Sequence, residues 1–257
     1  MSKTICAINA KGGVAKTTII VNLAGALAKL EKKVLVVDLD PQGNTTENLG
    51  CQDVKADITD LLLKGKKFAQ VMVDRGDMHV IPAIHQRSIN LETELTVTSL
   101  GEIKLLKAIK DRSDDYDYIL IDCPPGLGKI TRNAVYAANY YIIPMMAEPF
   151  SLAGRNFIIK FANEALEFND DLKALGFVFS KYNEDLRNNL KHFVVRTVNK
   201  DDFPTFNTFI REDTKLQSCI PFGQHIFEFT ENDSKLKSTN AVEDYLDLAK
   251  EVIQKTK

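Results

Sequence analysis

Seven short runs along the chain are apolar at nearly every position and rich in β-branched residues. They are TICAINA (4–10), KVLVVDLD (33–40), MHVIPA (78–83), YDYILIDCP (116–124), YYIIPMM (140–146), ALGFVFSK (174–181) and FNTFI (206–210). A strand with one wet face alternates apolar and polar residues; unbroken apolar runs predict strands covered on both faces, as in a parallel sheet. Between them, residues 17–30, 102–111, 155–168 and 241–255 carry apolar positions at helical spacing. Strand and helix alternate, which predicts an α/β fold: a doubly wound, mostly parallel sheet with helices on both faces. No repeat, low-complexity stretch or long linker interrupts the pattern, so a single domain over residues 1–257 is expected. The pattern is least regular over 183–240, where Asp, Asn, Lys and Arg are dense.

Composition narrows the function classes. Of 257 residues, 44% are hydrophobic, and the formal net charge is -2, with an isoelectric point near 6.1. That balance gives no global attraction to nucleic acid or to anionic membrane, so any such binding needs a local patch. Cys6, Cys51, Cys123 and Cys219 are scattered, without metal-ligand spacing, and read as small core residues in a reducing cytoplasm. MSKTICAINA has no signal-peptide profile, and no apolar run reaches the ~18 residues of a membrane span. A cytoplasmic location is expected.

Candidate chemistry begins at INAKGGVAKTTIIVNLA (8–24). A buried strand, a Gly-containing turn and an amphipathic helix follow one another there, which aims backbone N–H groups and a helix N-terminus at an anion. The generic phosphate-loop pattern requires glycine six residues and one residue before its lysine; counting from Lys16, those places hold Ala10 and Ala15. Lys16 would reach the β/γ-phosphates and the Thr17 hydroxyl would ligate Mg²⁺. Ala15, leading into a helix, is expected at ordinary negative φ, with Gly12 and Gly13 left for any left-handed geometry. The competing reading is a tight strand–helix connection with incidental Lys and Thr. Asp38 and Asp40 end the second run, at the strand edge where open α/β sheets bind ligands. Alternation places them on one side, facing Mg²⁺ and water, unless Asp40 merely caps the turn before Pro41. Asp122 ends another apolar run before Pro124-Pro125-Gly126, the form of a Walker B element beside a phosphate loop.

Lys11 in KGGVAKTT makes the stretch resemble the deviant Walker A motif, KGGxGK[ST][TS], of the ParA/MinD ATPases. The resemblance is nearest to their short, chromosomal-type (Soj) branch used in DNA partitioning. VLVVDLDPQGNTTENLG, DYILIDCPPGLGKITRNAV and IIPMMAEPFSLAGRNFI look like that branch, and TFNTFIREDTKLQSCIPFGQHI resembles it more loosely. The likeness implies a P-loop ATPase that forms an ATP-sandwich homodimer, binds non-specific DNA and is released by slow hydrolysis stimulated by a ParB-type partner. It implies a nucleotide loop of Lys11, Gly12, Gly13, Val14, Ala15, Lys16, Thr17 and Thr18. Lys11 would cross to the partner's phosphates, Lys16 would hold phosphates in cis, and Thr18 would contact the α-phosphate. Asp40 would orient water, with Thr17, Asp38 and Asp122 around Mg²⁺. A nucleoid-associated location follows.

The chain departs from the family at Ala15 and Gly126, where glycine and serine are usual. It departs again at Arg211-Glu212-Asp213, which adds acid to a surface that is usually basic. Arg187, Arg211 and Lys215 are the first candidates for DNA contact; Lys181, Lys191, Arg196, Lys200, Lys235 and Lys237 lie around them, interleaved with acidic residues. A MinD-like membrane attachment is the alternative, but the terminal AVEDYLDLAKEVIQKTK reads as a helix packed on the sheet, so no membrane is expected. An electron carrier like the nitrogenase iron protein would need paired cluster cysteines, and Cys123 has no evident partner. A regulatory ATP-binding switch with negligible hydrolysis is the remaining class, to which Ala15 is relevant.

Overall fold

The computed structural model describes residues 2–146, 154–182, 203–231 and 239–257. Eight strands form one sheet: β1 (Lys3–Ala7), β2 (Val34–Asp38), β3 (Val73–Asp74), β4 (His79–Ile81), β5 (Tyr118–Asp122), β6 (Tyr140–Met146), β7 (Lys173–Tyr182) and β8 (Thr205–Arg211). Their order across the sheet is β3-β4-β2-β5-β1-β6-β7-β8. Every pairing is parallel except β3 with β4. The helices used below are α1 (Lys16–Lys29), α2 (Asn44–Asn48), α3 (Ile226–Glu231) and α4 (Asn240–Lys255).

Period-2 geometry sends successive side chains of each strand to opposite faces. Along β1, Cys6 joins Leu35, Val37, Ile119, Ile121, Ile143 and Phe177 on one face. Ile5 and Ala7 join Val34, Val36, Leu120, Ile142 and Val178 on the other. Both faces are covered, which is why these strands are apolar throughout. The second face is closed by α1 and α4: Ile19, Ile20, Leu23 and Leu27 meet Ala241, Tyr245, Leu248, Ala249 and Val252 in one core. α4 begins at Thr239, whose side chain accepts the Val242 amide, and its apolar stripe is used in that packing.

All seven expected strands are present, though four are shorter at their carboxyl ends, stopping at Ala7, Asp38, Ile81 and Asp122 rather than at residues 10, 40, 83 and 124. The expected helix over 102–111 is α-helical at Lys104–Ile109 and continues as 3₁₀ helix over Gly101–Ile103 and Lys110–Asp115. β3 was not foreseen: two residues, partly and fully exposed, leave no apolar run to read.

Candidate nucleotide site

Sheet connectivity reverses beside β1: from it the order runs through β5 and β2 on one side and through β6 and β7 on the other. The crevice above the carboxyl ends of the strands at such a point is the ligand site of open α/β folds. Residues 8–15 leave β1 directly into it. β1 ends early because Asn9 turns to tie the loop: its Nδ2 donates to the Pro144 carbonyl of β6 at 2.8 Å and its Oδ1 accepts the Lys11 amide at 2.9 Å.

Beyond Asn9 the chain must curl back on itself. Gly13 does so at φ 76, and Ala15 at φ 70, ψ 29. The expectation of negative φ for Ala15 is therefore corrected: the loop needs a second left-handed residue immediately before α1. Alternating left-handed residues make backbone amides converge into an anion-binding concavity. Alanine in that conformation costs about 1–2 kcal/mol. α1 starts without a side-chain cap, so its first amides join those of the loop in facing the crevice.

Lys16 is buried beneath the loop, where its Nζ donates to the carbonyls of Asn9 at 3.3 Å and Lys11 at 3.2 Å. Burial lowers its pKa, against the opposing pull of Asp122 and Asp40. Lys11, Gly12 and Gly13 are exposed at the mouth, whereas Val14 is buried, its carbonyl accepting the Ser180 hydroxyl of β7 at 3.1 Å. Ala15 and Thr18 line a pocket that continues toward Ser180, Ile210, Leu216 and Ile220.

The carboxylates come from adjacent strands, with Asp38 opposite Asp122 in register. Asp122 Oδ2 accepts the hydroxyls of Thr17 at 2.7 Å and Thr45 at 2.8 Å. Asp122 Oδ1 is buried with no hydrogen-bond partner among the described residues. Burial, with Asp40 adding, pushes the Asp122 pKa up to about 6 despite the two hydroxyls. An orphaned carboxylate oxygen beside a threonine hydroxyl is an all-oxygen donor set suited to a hard divalent cation such as Mg²⁺.

Asp38 is tied to the segment that follows it. Its Oδ2 accepts both the amide and the hydroxyl of Thr46, at 2.9 and 2.7 Å, and its Oδ1 accepts the Asp40 amide at 3.1 Å. Both oxygens hold α2 and the turn before it. Burial, then Asp122, raises its pKa. β2 stops at Asp38, so simple alternation does not carry on to Asp40. One Asp40 oxygen accepts the Gln42 amide at 2.9 Å, which is the turn-capping role, while the residue borders a groove with Pro41, Pro124, Pro125 and Gly126. Thr45 and Thr46 were missed by the sequence reading, although two hydroxyls directly after DPQGN were a usable signal.

The expected DNA contacts divide three ways. Arg187 lies outside the described residues, as do Lys191, Arg196, Lys200, Lys235 and Lys237. Lys215 is partly exposed in a short turn of helix. The Arg211 guanidinium grips Asp244 through Nε at 3.0 Å and Nη2 at 2.7 Å and reaches Glu243 at 3.2 Å. These contacts engage Nε and Nη2, so Arg211 serves β8–α4 docking.

Loop, lysines and strand-end carboxylates together define a P-loop NTPase with a lysine-bearing, deviant Walker A loop. Comparison with known proteins narrows this class. The family described as an AAA domain matches residues 2–174. The sporulation initiation inhibitor protein Soj of Bacillus subtilis is 35% identical over 98% of this chain and 98% of its own. The chromosome partitioning protein ParA of Myxococcus xanthus is 33% identical over 99% of this chain and 89% of its own. The chain belongs to the ParA/Soj family of P-loop ATPases. Among solved structures, cobyrinic acid a,c-diamide synthase of Mycobacterium smegmatis with bound ADP and magnesium superposes with a TM-score of 0.83 at 25% identity, covering 99% of this chain and 95% of that one. No helix among the described residues is long and apolar enough to cross a membrane.

Proposed function

We propose that this chain is a DNA-partition ATPase acting as one P-loop domain over residues 1–257. ATP sits with its phosphates in the loop of Lys11, Gly12, Gly13, Val14, Ala15, Lys16, Thr17 and Thr18, and its base toward the pocket beside Ser180 and Ile210. Thr17 and Asp122 hold Mg²⁺, Asp38 fixes α2 behind them, and Asp40 orients the attacking water. Two such subunits close around two nucleotides. The homodimer binds non-specific DNA, with Lys215 as the contact candidate among the described residues, and a ParB-type partner stimulates slow hydrolysis that releases it. A cytoplasmic, nucleoid-associated protein follows from this reading.

One observation carries it. The loop holds one lysine buried beneath it, donating to two of its carbonyls, and presents a second, Lys11, exposed at its mouth. Phosphoryl transfer is stabilised by cations preorganised around the developing charge, one of them often supplied in trans. A lysine at the mouth supports a role toward a partner's phosphates, and one beneath the loop a role toward its own. The apolar stripe of α4 is buried against α1 and β8, which disfavours a membrane-seeking terminal helix. Cys123 is buried, and burial raises its thiol pKa well above the ordinary value, which disfavours cluster ligation.

The test is DNA co-sedimentation and sizing with ADP, ATP and a slowly hydrolysed analogue, for wild type, Lys16→Ala and Asp40→Ala. Asp40→Ala is expected as a trapped DNA-bound dimer and Lys16→Ala as an inert monomer. If ATP alters neither oligomeric state nor DNA binding, the partition reading is wrong. ATP-dependent liposome binding would move the assignment to membrane positioning, and ATP binding without turnover to a regulatory switch.

A further inference from the structure

Two hydroxyls from two different helices meet on one oxygen of Asp122. Thr17 belongs to α1 and Thr45 to α2. Thr45 and Asp122 are fully buried, so their contact does not compete with solvent, whereas Thr17 is partly exposed. A carboxylate on a single methylene can rotate; two donors on Oδ2 fix its plane and leave Oδ1, the buried atom without a partner among the described residues, aimed at the cation position. Thr17 can ligate a metal through a lone pair while its hydrogen stays on Asp122, so its donor geometry is tied to the metal's; Thr45 adds a second donor that has no part in ligation.

We propose that Thr45 is a positioning residue for the divalent cation, holding Asp122 Oδ2 so that Oδ1 receives the metal whichever way Thr17 points. This rests on the nucleotide–magnesium reading above. It also gives the cation a mechanical connection to the catalytic turn. Thr46, the next residue, donates its hydroxyl to Asp38 Oδ2 and accepts the Ala83 amide at 2.8 Å. α2 is thereby bolted to the ends of two neighbouring strands by consecutive residues, whose side chains diverge by the angular step of a helix. The turn of Asp40 to Gly43 leads straight into it. A shift of Asp122 toward a metal is felt at α2 through Thr45 and passes to the segment carrying Asp40.

The experiment measures binding of a fluorescent ADP analogue to the full chain, first in EDTA and then across a Mg²⁺ titration, for wild type, Thr45→Val and Thr45→Ser. Thr45→Val keeps shape and removes the donor. Outer hydroxyls and carboxylates that orient metal ligands are typically worth tenfold or more in metal affinity. The Mg²⁺ midpoint of Thr45→Val is therefore expected to rise about tenfold, with EDTA affinity within about twofold of wild type and Thr45→Ser restoring the midpoint. An unchanged Mg²⁺ midpoint, or an equal loss with and without metal, overturns the proposal, because a merely structural residue would affect both conditions alike. If Thr45→Val does not fold, Thr45→Ala is read in the same way; if that also fails to fold while Thr45→Ser behaves as wild type, the hydroxyl is structural and the proposal falls. Wild type that binds no nucleotide at any Mg²⁺ concentration would instead refute the nucleotide reading itself.

Discussion

Ala15 is the residue at which sequence expectation and geometry differ most, and the difference can be measured. At φ 70, ψ 29 its Cβ is crowded against the following carbonyl, a cost of about 1–2 kcal/mol that glycine does not carry. Glycine also widens the unfolded ensemble, which returns about 0.4–1 kcal/mol. The net expectation for Ala15→Gly is a stabilisation of about 0.5–1 kcal/mol, or a Tm rise of roughly 1–4 °C for a chain of this size. Thermal unfolding without nucleotide and in EDTA isolates the backbone effect from ligand linkage. Ala15→Val, β-branched in the same conformation, should lower Tm. Nucleotide binding should survive in both the natural protein and Ala15→Gly, with hydrolysis by the natural alanine form equal to or slower than that of the glycine variant. A lower Tm for Ala15→Gly, together with an unchanged one for Ala15→Val, would refute the claim of strain. Markedly faster turnover by the alanine form would contradict its kinetic corollary.

Four further outcomes follow from particular residues. Asp122 has a folded pKa near 6 against an ordinary 3.8, so its ionised form opposes folding above pH 6 and the opposition is gone below pH 4. Asp122→Asn in EDTA should accordingly gain about 1–3 kcal/mol at pH 8, fading to nothing by pH 4 in urea melts; a gain that grows on acidification would contradict the assignment. A Cβ on Gly25 would lie 2.7 Å from the ring of His225, which Asp77 holds at 2.6 Å. Gly25→Ala should therefore cost about 1–3 kcal/mol by denaturant midpoint, a penalty that His225→Ala largely removes in the double variant. Arg211→Gln should destabilise by about 1–3 kcal/mol, because it leaves buried Asp244 short of partners, yet leave the salt slope of DNA binding unaltered. Lys215→Ala should reduce that slope by about one instead.

Strands buried on both faces were legible because covering both faces forces an unbroken apolar run, and such runs are visible without knowing the neighbours. Strand ends were less so. Asn9 and Asp40 extend the runs in the sequence, but each turns its side chain to bind a backbone group of the adjoining turn or strand. That Lys11, Lys16, Thr17 and Asp122 would lie close together was legible through spacing and through the place of Asp122 at a strand end. The sign of φ at Ala15 was not, since it is set by closing the loop over Lys16 rather than by local preference. The different hydrogen-bond partners of Asp38 and Asp122 depend on two hydroxyls of α2 brought in from eight and 77 positions away. The pairing of Arg211 with Asp244 spans 33 positions, and no local charge count predicts that a basic residue is already spoken for.

α4 covers the apolar face of α1, and it is built from residues 240–255. The family match stops at residue 174, yet Ile19, Ile20, Leu23 and Leu27 find part of their cover beyond it. The helix that steadies the base of the loop follows it by more than 200 positions. A fragment ending where the family match ends would carry the loop's residues without the wall against which α1 is held.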